Sequence, residues 1–129
     1  MTPDDIVNAI PVPCGHIVPD GRIGAINDGL ATLFGAEIRG RHYITAFRQP
    51  SLLDRIEAAL AEHKKTTGTY IGFQAGRDTT HEVTISPIRE AGRAAGVLVF
   101  FEDLTHLAEA GERRSEFVAN VSHELRTPL

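Results

Sequence analysis

The feature that most constrains the fold of this 129-residue chain is a set of three successive strand patterns in its second half. Residues 70–75 and 81–88 alternate apolar and polar side chains, and residues 96–101 are continuously apolar. Alternation with a period of two is typical of a strand that is buried on one face, and a short apolar run is typical of a fully buried strand. The predicted turns between the three strands are Arg77-Asp78 and residues 90–93.

The first half of the chain predicts two further strands and several helices. A short helix is expected over residues 4–10 and is stopped by Pro11 and Pro13. Strands are expected over residues 16–18 and 22–26, on either side of the turn signal Pro19-Asp20-Gly21.

Three helical segments follow these two strands. Asn27 is the predicted N-cap of a helix over residues 28–34, which Gly35 ends, and a helical turn is expected over residues 43–47. A longer helix is expected after Pro50, with Ser51 as its cap, Asp54 as a weak capping-box partner and residues 64–68 as its end. The order of elements predicts an α+β fold, a five-stranded antiparallel sheet with helices on one face, followed by a C-terminal signalling helix.

Composition excludes several classes of protein. The net charge of −4, without a basic run, gives no electrostatic footprint for nucleic acid or for a membrane surface. The single cysteine, Cys14, excludes an internal disulfide, agrees with a reducing compartment and is expected to pack near the start of a strand. The chain has no signal peptide, and no apolar run approaches the roughly 18 residues of a membrane helix, so a soluble segment is expected.

The last thirteen residues, 117–129, carry the strongest chemical signal. In a helix, which turns about 100° per residue, His123 lies roughly 200° from Val121 and on the polar side. The apolar face is formed by Phe117, Val118, Val121 and Leu125. This face can pack while His123 points to solvent, as a nucleophile that meets outside partners requires. A lone histidine on a polar face is, however, more often an ordinary surface residue.

The string Ser-His-Glu-Leu-Arg-Thr-Pro-Leu at residues 122–129 resembles the H-box of sensor histidine kinases, in which the histidine is the phosphoryl acceptor. The resemblance implies that one ring nitrogen of His123 attacks the γ-phosphoryl group of ATP, and neutral imidazole, with an ordinary pKa near 6.5, suits that role. Glu124 would hold the proton of the other ring nitrogen and stabilise the developing imidazolium. Thr127 matches a position that helps to orient the water that removes phosphate from the partner protein, and Pro128 would bend the helix. The alternative interpretations are an ordinary surface acid for Glu124, a polar residue on the exposed helix face for Thr127, and a helix end for Pro128.

Residues 5–105 resemble a PAS domain. The matching points are Asp20-Gly21, Asn27 before the first sheet-covering helix, Leu-Phe-Gly at 33–35, and Glu-Asp-Leu-Thr at 102–105. The last of these resembles the Asp-x-Thr hinge, in which the acid and the hydroxyl tie the domain to the outgoing helix. The implied organisation is a PAS sensor domain over residues 1–105, and a linker helix with the truncated start of the histidine-kinase dimerisation and phosphoacceptor domain over residues 106–129. With residues 112–117 leading into the H-box, this order is similar to the phosphate-regulon type of sensor kinase.

An apolar seam follows the predicted linker helix in alternating steps of three and four, interrupted by Arg114. Its members are Leu107, Gly111, Val118, Val121 and Leu125. Such spacing suits a parallel coiled coil that enters a four-helix bundle. The resemblance therefore implies a homodimer through this helix, with the PAS domain as a second contact, and a signal carried by helix pitch or register. The alternative is a frayed terminal helix.

Some PAS domains hold haem, flavin or small acids. The flavin-photosensor type needs an Asn-Cys helix motif, which this sequence lacks. His42, His63 and His81 stand alone among polar neighbours and are interpreted as surface histidines rather than haem ligands. A filled core is preferred over a small pocket, for which the plausible lining is Ile26, Phe47, Phe73 and Ile85.

The sequence is therefore interpreted as the cytoplasmic PAS sensory segment of a two-component sensor histidine kinase that is anchored in a bacterial membrane. The full-length kinase would use ATP and Mg²⁺, phosphorylate His123 and pass the phosphoryl group to a response regulator. The segment itself is expected to hold no cofactor and to be inactive, since it has no Gly-rich phosphate loop and no ATP-binding domain. The rival hypothesis is a PAS ligand-binding or dimerisation module that acts without catalysis; its ligand is unknown.

Overall fold

A computed structural model describes residues 2–74 and 76–104. The described residues contain five helices and five strands, and their order is the predicted one except for a short 3-10 helix that the sequence did not predict. The helices are α1 (Pro3–Ala9), α2 (Asp28–Phe34), a 3-10 helix (Ala36–Ile38), α3 (Tyr43–Phe47) and α4 (Pro50–Glu62). The strands are β1 (Cys14–Ile17), β2 (Ile23–Ile26), β3 (Thr66–Gln74), β4 (Arg77–Glu90) and β5 (Arg93–Asp103).

The strands form one sheet in the order β2-β1-β5-β4-β3. β1 pairs antiparallel with β2 and with β5, and its register shifts between His16 and Ile17 where it meets β2. β3, β4 and β5 are neighbours in both sequence and space, so the short turns between them make their pairing antiparallel as well. The predicted five-stranded antiparallel sheet is confirmed.

Residue contacts divide the chain into two compact units. The larger contains residues up to Tyr70 together with Glu82–Glu102, and it holds all of the helices listed above. The smaller contains Ile71–His81 and, among the described residues, Asp103 and Leu104.

The last three strands are longer than the apolar pattern predicts. β3 already begins at Thr66, inside the polar segment that was expected to end the preceding helix, and threonine is favoured in strands. Arg77-Asp78 was predicted as a turn, but both residues belong to β4, and Gly76, with φ +79°, lies in the turn instead. The second predicted turn is confirmed, since Ala91 and Gly92 separate β4 from β5. The strands therefore continue past the residues that pack against the core, and in these extensions nothing imposes an alternation of apolar and polar side chains.

Helix boundaries follow from local capping. α1 begins with a capping box in which the side chains of Thr2 and Asp5 each accept from the other's backbone N–H. Asn27 caps α2 and Gly35 ends it, as predicted. The prediction that Ser51 caps the longest helix is wrong, because α4 begins one residue earlier, at Pro50. Proline suits the first helical position, since its missing N–H has no helical partner there.

Apolar side chains form two clusters in the larger unit. Val97, Val99 and Phe101 of β5 belong to the main cluster, which also contains buried residues of α2, α3 and α4. Leu98 and Phe100, which alternate with them, belong to a smaller cluster with Val7 of α1. Because successive side chains of a strand point to opposite faces, α1 covers the face of the sheet opposite to α2, α3 and α4. This second layer was not foreseen from the sequence.

Candidate functional site

The predicted phosphoacceptor residues His123, Glu124 and Thr127 lie outside the described residues, as do Thr105 and the whole predicted linker helix. Their roles stay predictions. The described residues instead give the geometry of the predicted PAS domain up to Leu104, the last described residue before the predicted linker helix.

The end of β5 is fixed to the neighbouring strand. β5 ends at Asp103, and the backbone N–H of Leu104 donates to the carbonyl oxygen of Thr80 at 2.8 Å. The first two residues of the predicted Asp-x-Thr hinge are therefore held by β4 through the backbone. A change in the backbone of β4 at Thr80 would therefore act directly on Leu104.

His81 lies one residue beyond that hydrogen bond, on β4. The prediction that it is a surface histidine is wrong, because the residue is only 3% exposed. It falls in the alternating buried positions of β4, together with Thr79, Val83 and Ile85. Burial lowers the pKa of its imidazole from the ordinary 6.5, and the negative charge of Asp103 opposes part of that shift. The buried imidazole of His81 is therefore influenced by the charge of Asp103, the first residue of the predicted hinge.

We expect His81 to make stability depend on pH. Its pKa is lower in the folded than in the unfolded chain, so the unfolded chain binds more protons between the two values. The contribution of His81 to the free energy of unfolding is therefore constant above about pH 6.5, falls as the pH drops through that value, and levels off below the folded pKa. Urea unfolding at pH 7.5 and at pH 5.0 measures this slope.

The matched variants for this prediction are His81→Gln and His63→Asn. His63 is exposed, at the C-terminal end of α4 with φ 54°, a backbone conformation that asparagine tolerates. His81→Gln should lose most of the decline in stability between the two pH values, and His63→Asn should retain it. Equal slopes in the wild type and in His81→Gln would contradict the prediction.

The space proposed as a pocket lining is largely core. Ile26, Phe47 and Ile85 are buried members of the main cluster, in agreement with the preferred filled core. The ring of Phe34 packs edge-on against three neighbours, with centroid distances of 5.0 Å to Phe47, 5.0 Å to Tyr70 and 5.3 Å to Phe101. The prediction that Phe73 is the fourth lining residue is wrong, because its side chain is 68% exposed.

Asn27 does more than the N-cap role that its position before α2 predicts. Its side-chain oxygen accepts from the N–H groups of Leu30 and Cys14, both at 3.0 Å. Its amide nitrogen lies within hydrogen-bond distance of three carbonyl oxygens, those of Val7 at 3.1 Å, Ile10 at 3.2 Å and Val12 at 2.8 Å. One side chain, 6% exposed, thus ties α1 and the segment after it to β1 and α2. Only the contact to Leu30 follows from the sequence.

Cys14 is the first residue of β1 and is buried, which confirms its predicted place near a strand start. Burial raises the pKa of its thiol to about 12, so the thiolate that reacts or binds metal is not formed near neutral pH. This agrees with the interpretation of Cys14 as a packing residue.

Of the remaining candidate haem ligands, His63 is exposed, as predicted, and His42 has local structural contacts. His42 is half-buried, accepts the N–H of Ile44 at its Nδ1 atom (3.3 Å) and stacks on Tyr43. No group of three or more His, Cys, Asp or Glu side chains suited to a metal ion occurs in residues 2–74 and 76–104. Whether the domain holds a cofactor stays a prediction.

His16 is a buried histidine that the sequence analysis missed. It is 4% exposed, and its Nε2 atom lies 2.6 Å from the carbonyl oxygen of Ala95, so that nitrogen must carry the proton. The available signal was its alternation with Cys14 on a short apolar strand. His16 also lines an open cavity of about 520 Å³.

Comparison with known proteins agrees with this architecture. A family model described as PAS fold matches residues 7–109. Among curated relatives, the sensor protein kinases WalK of Staphylococcus saprophyticus and Staphylococcus aureus are 30% and 33% identical over 115 and 114 residues, in each case 84% of this chain. Among solved structures, the PAS domain of Bordetella pertussis BvgS superposes with a TM-score of 0.62 at 20% identity, covering 98% of this chain and 95% of that one. The chain spans only 18% of the length of the two WalK proteins.

Proposed function

This chain belongs to the PAS-fold family, and from that premise we propose that it is the sensory and signal-transfer segment of a two-component sensor histidine kinase. The observation that carries the proposal is the likeness to two sensor protein kinases across 84% of the chain. The run Ser-His-Glu-Leu-Arg-Thr-Pro-Leu at residues 122–129 supports it independently, because that run supplies a nucleophile with an adjacent carboxylate.

The chemistry assigned to the C-terminal residues follows from their functional groups. His123 accepts the γ-phosphoryl group of ATP on one ring nitrogen, and Glu124 holds the proton on the other. Thr127 helps to orient the water that later removes phosphate from the response regulator. Mg²⁺ and ATP are the cofactors of the full-length kinase, and the sensory segment itself holds none.

The partners proposed for the full-length protein are a response regulator and a second copy of the kinase, paired through the linker helix that the sequence predicts over residues 106–129. The hydrogen bond from Leu104 to Thr80 supports this path, because it fixes the start of the outgoing segment to the sheet. We place the segment in the cytoplasm of a membrane-anchored bacterial kinase. No helix within residues 2–74 and 76–104 has the length and apolar character to cross a bilayer.

The test is phosphoryl transfer in the full-length protein that contains this segment. Incubation with ATP and Mg²⁺ should label His123, with the acid-labile, base-stable signature of a phosphoramidate, and added response regulator should then take up the label on an aspartate, as an acyl phosphate that base also hydrolyses. His123→Gln should abolish both signals, while His63→Asn, at an exposed histidine of the sensory domain, should leave both unchanged. The 129-residue chain by itself should neither bind nor hydrolyse ATP.

The alternative is a PAS module that binds a ligand or dimerises without catalysis. It would be supported if His123→Gln kept full transfer to the regulator, or if the purified chain carried a stoichiometric small molecule and no kinase activity depended on it. Detectable autophosphorylation of the 129-residue chain would contradict the division of roles between this segment and the ATP-binding domain.

A further inference from the structure

An open cavity lies on the face of the sheet that α1 partly covers. It is lined by residues of β1 and the turn that follows it, by residues of the β4–β5 hairpin, and by Pro3 of α1. His16 of β1 and Val18, which directly follows β1, alternate with Ile17, which is buried in the main cluster on the other face. The cavity is therefore separate from the helix-covered interior in which a pocket was considered above.

The cavity combines an apolar lining with two opposite charges. Val18, Pro19 and Ala94 contribute apolar surface, while Glu90 and Arg93 contribute a carboxylate and a guanidinium. Both charged residues are exposed, and neither forms an ion pair with another residue that the structure describes. The neighbouring Arg89 is engaged elsewhere, since its guanidinium donates to the carbonyl oxygen of Gly92 at 3.3 Å.

His16 supplies the cavity with a buried polar side chain whose ring is held by a hydrogen bond. Because its Nε2–H donates to the carbonyl oxygen of Ala95, its Nδ1 atom is left as an acceptor in the neutral ring. A ligand in the cavity could therefore contact the carboxylate of Glu90, the guanidinium of Arg93 and the Nδ1 atom of His16. A volume of about 520 Å³ lies within the usual range of small-molecule sites.

We propose that this cavity binds a small zwitterion with an apolar body, of the class of the apolar α-amino acids. The ammonium group would pair with Glu90, the carboxylate with Arg93, and the hydrocarbon part would lie against Val18, Pro19 and Ala94. The complementarity rests on two unpaired opposite charges beside apolar surface. An ion of one sign would leave one of the two charges without a partner. The site goes beyond the proposed kinase function and stands whether or not His123 accepts phosphate.

The experiment uses L-valine as the probe and its two single-charge analogues as controls. Isovalerate lacks the ammonium group, and isobutylamine lacks the carboxylate. Binding is followed by the ring resonances of His16, identified by their loss in His16→Gln. Valine should shift these resonances with a Kd of about 1 mM or tighter. Each analogue should bind about tenfold more weakly, as expected for the loss of one charge-assisted hydrogen bond.

Exposed charges provide the matched variants. Glu90→Gln and Arg93→Gln should each weaken valine binding about tenfold. Glu57→Gln and Arg39→Gln remove exposed charges that do not line the cavity, and both should bind valine as the wild type does. Binding of either analogue with the affinity of valine would overturn the proposal, as would the absence of any His16 shift with valine. Since the readout is binding, its failure is distinct from a failure of phosphoryl transfer.

Discussion

Replacing Gly96 by alanine should unfold the domain or destabilise it by about 4 kcal/mol, which is at the high end for a single substitution. Gly96 lies in β5 with φ +90°, where an L side chain is strained. A Cβ atom there would overlap the carbonyl oxygen of Ile17 on β1, and a backbone oxygen cannot move without shifting the pairing of the two strands. Neither β1 nor β5 is an edge strand, so the two strands cannot move apart to relieve the strain without disturbing their other neighbours.

Gly92 is the matched control for this substitution. It also has a positive φ, +78°, but no atom lies within 4 Å of its ideal Cβ position. Gly92→Ala should therefore cost only the backbone term, about 1 kcal/mol. The free energies of unfolding of both variants, from urea titration, give the comparison. A Gly96→Ala protein as stable as Gly92→Ala would show that β1 and β5 are not in such close contact.

Substitution of Asn27 should have the second largest effect. Asn27→Ala removes a buried amide that serves five backbone groups and should cost about 3 kcal/mol, because buried polar groups are left without partners. Asn8→Ala, at the exposed face of α1, should be near neutral. Equal stability of the two alanine variants would contradict the bridging role of Asn27.

Asn27→Asp adds a signature that simple loss of packing cannot give. The carboxylate keeps the two acceptor contacts but faces three carbonyl oxygens, so burial and repulsion should raise its pKa in the folded state. The folded variant then binds more protons than the unfolded chain, and its stability should rise as the pH falls through that raised pKa. Urea titrations between pH 4 and pH 8 would detect this rise. The rise is measured relative to the wild type at each pH, because His81 lowers the stability of both proteins on acidification. A variant whose stability relative to the wild type does not rise on acidification would contradict the three-carbonyl arrangement.

Sequence patterns predicted most of the fold because several elements carry their own local signals. Asn27 and Gly35 define both ends of α2, and the Pro-Asp-Gly turn at 19–21 separates β1 from β2. The predicted ends of strands were less accurate where the terminal side chains are not buried. Thr66 and Arg77 lie in strands that continue beyond the core, where no apolar alternation marks them.

Local sequence patterns could not predict which individual side chains are buried. His81 and Phe73 both lie in alternating strand segments, and the sequence does not say which face of a strand will be covered. His81 falls on a buried face and Phe73 on an exposed one, the reverse of their predicted surroundings. The contacts of Asn27 with Val7, Ile10 and Val12 depend on where α1 packs, and no motif in the sequence specifies that position.

The most direct measurement for the proposed kinase function is the position of the phosphoryl group. Full-length protein labelled with ATP and Mg²⁺ would be digested at alkaline pH, where phosphohistidine survives, and the modified peptide identified by tandem mass spectrometry. We expect the phosphoryl group on His123, within residues 117–129, and none on the other five histidines of the segment. A phosphoryl group on any other residue, with His123 unmodified, would contradict the assignment of this chain to a histidine-kinase sensory segment.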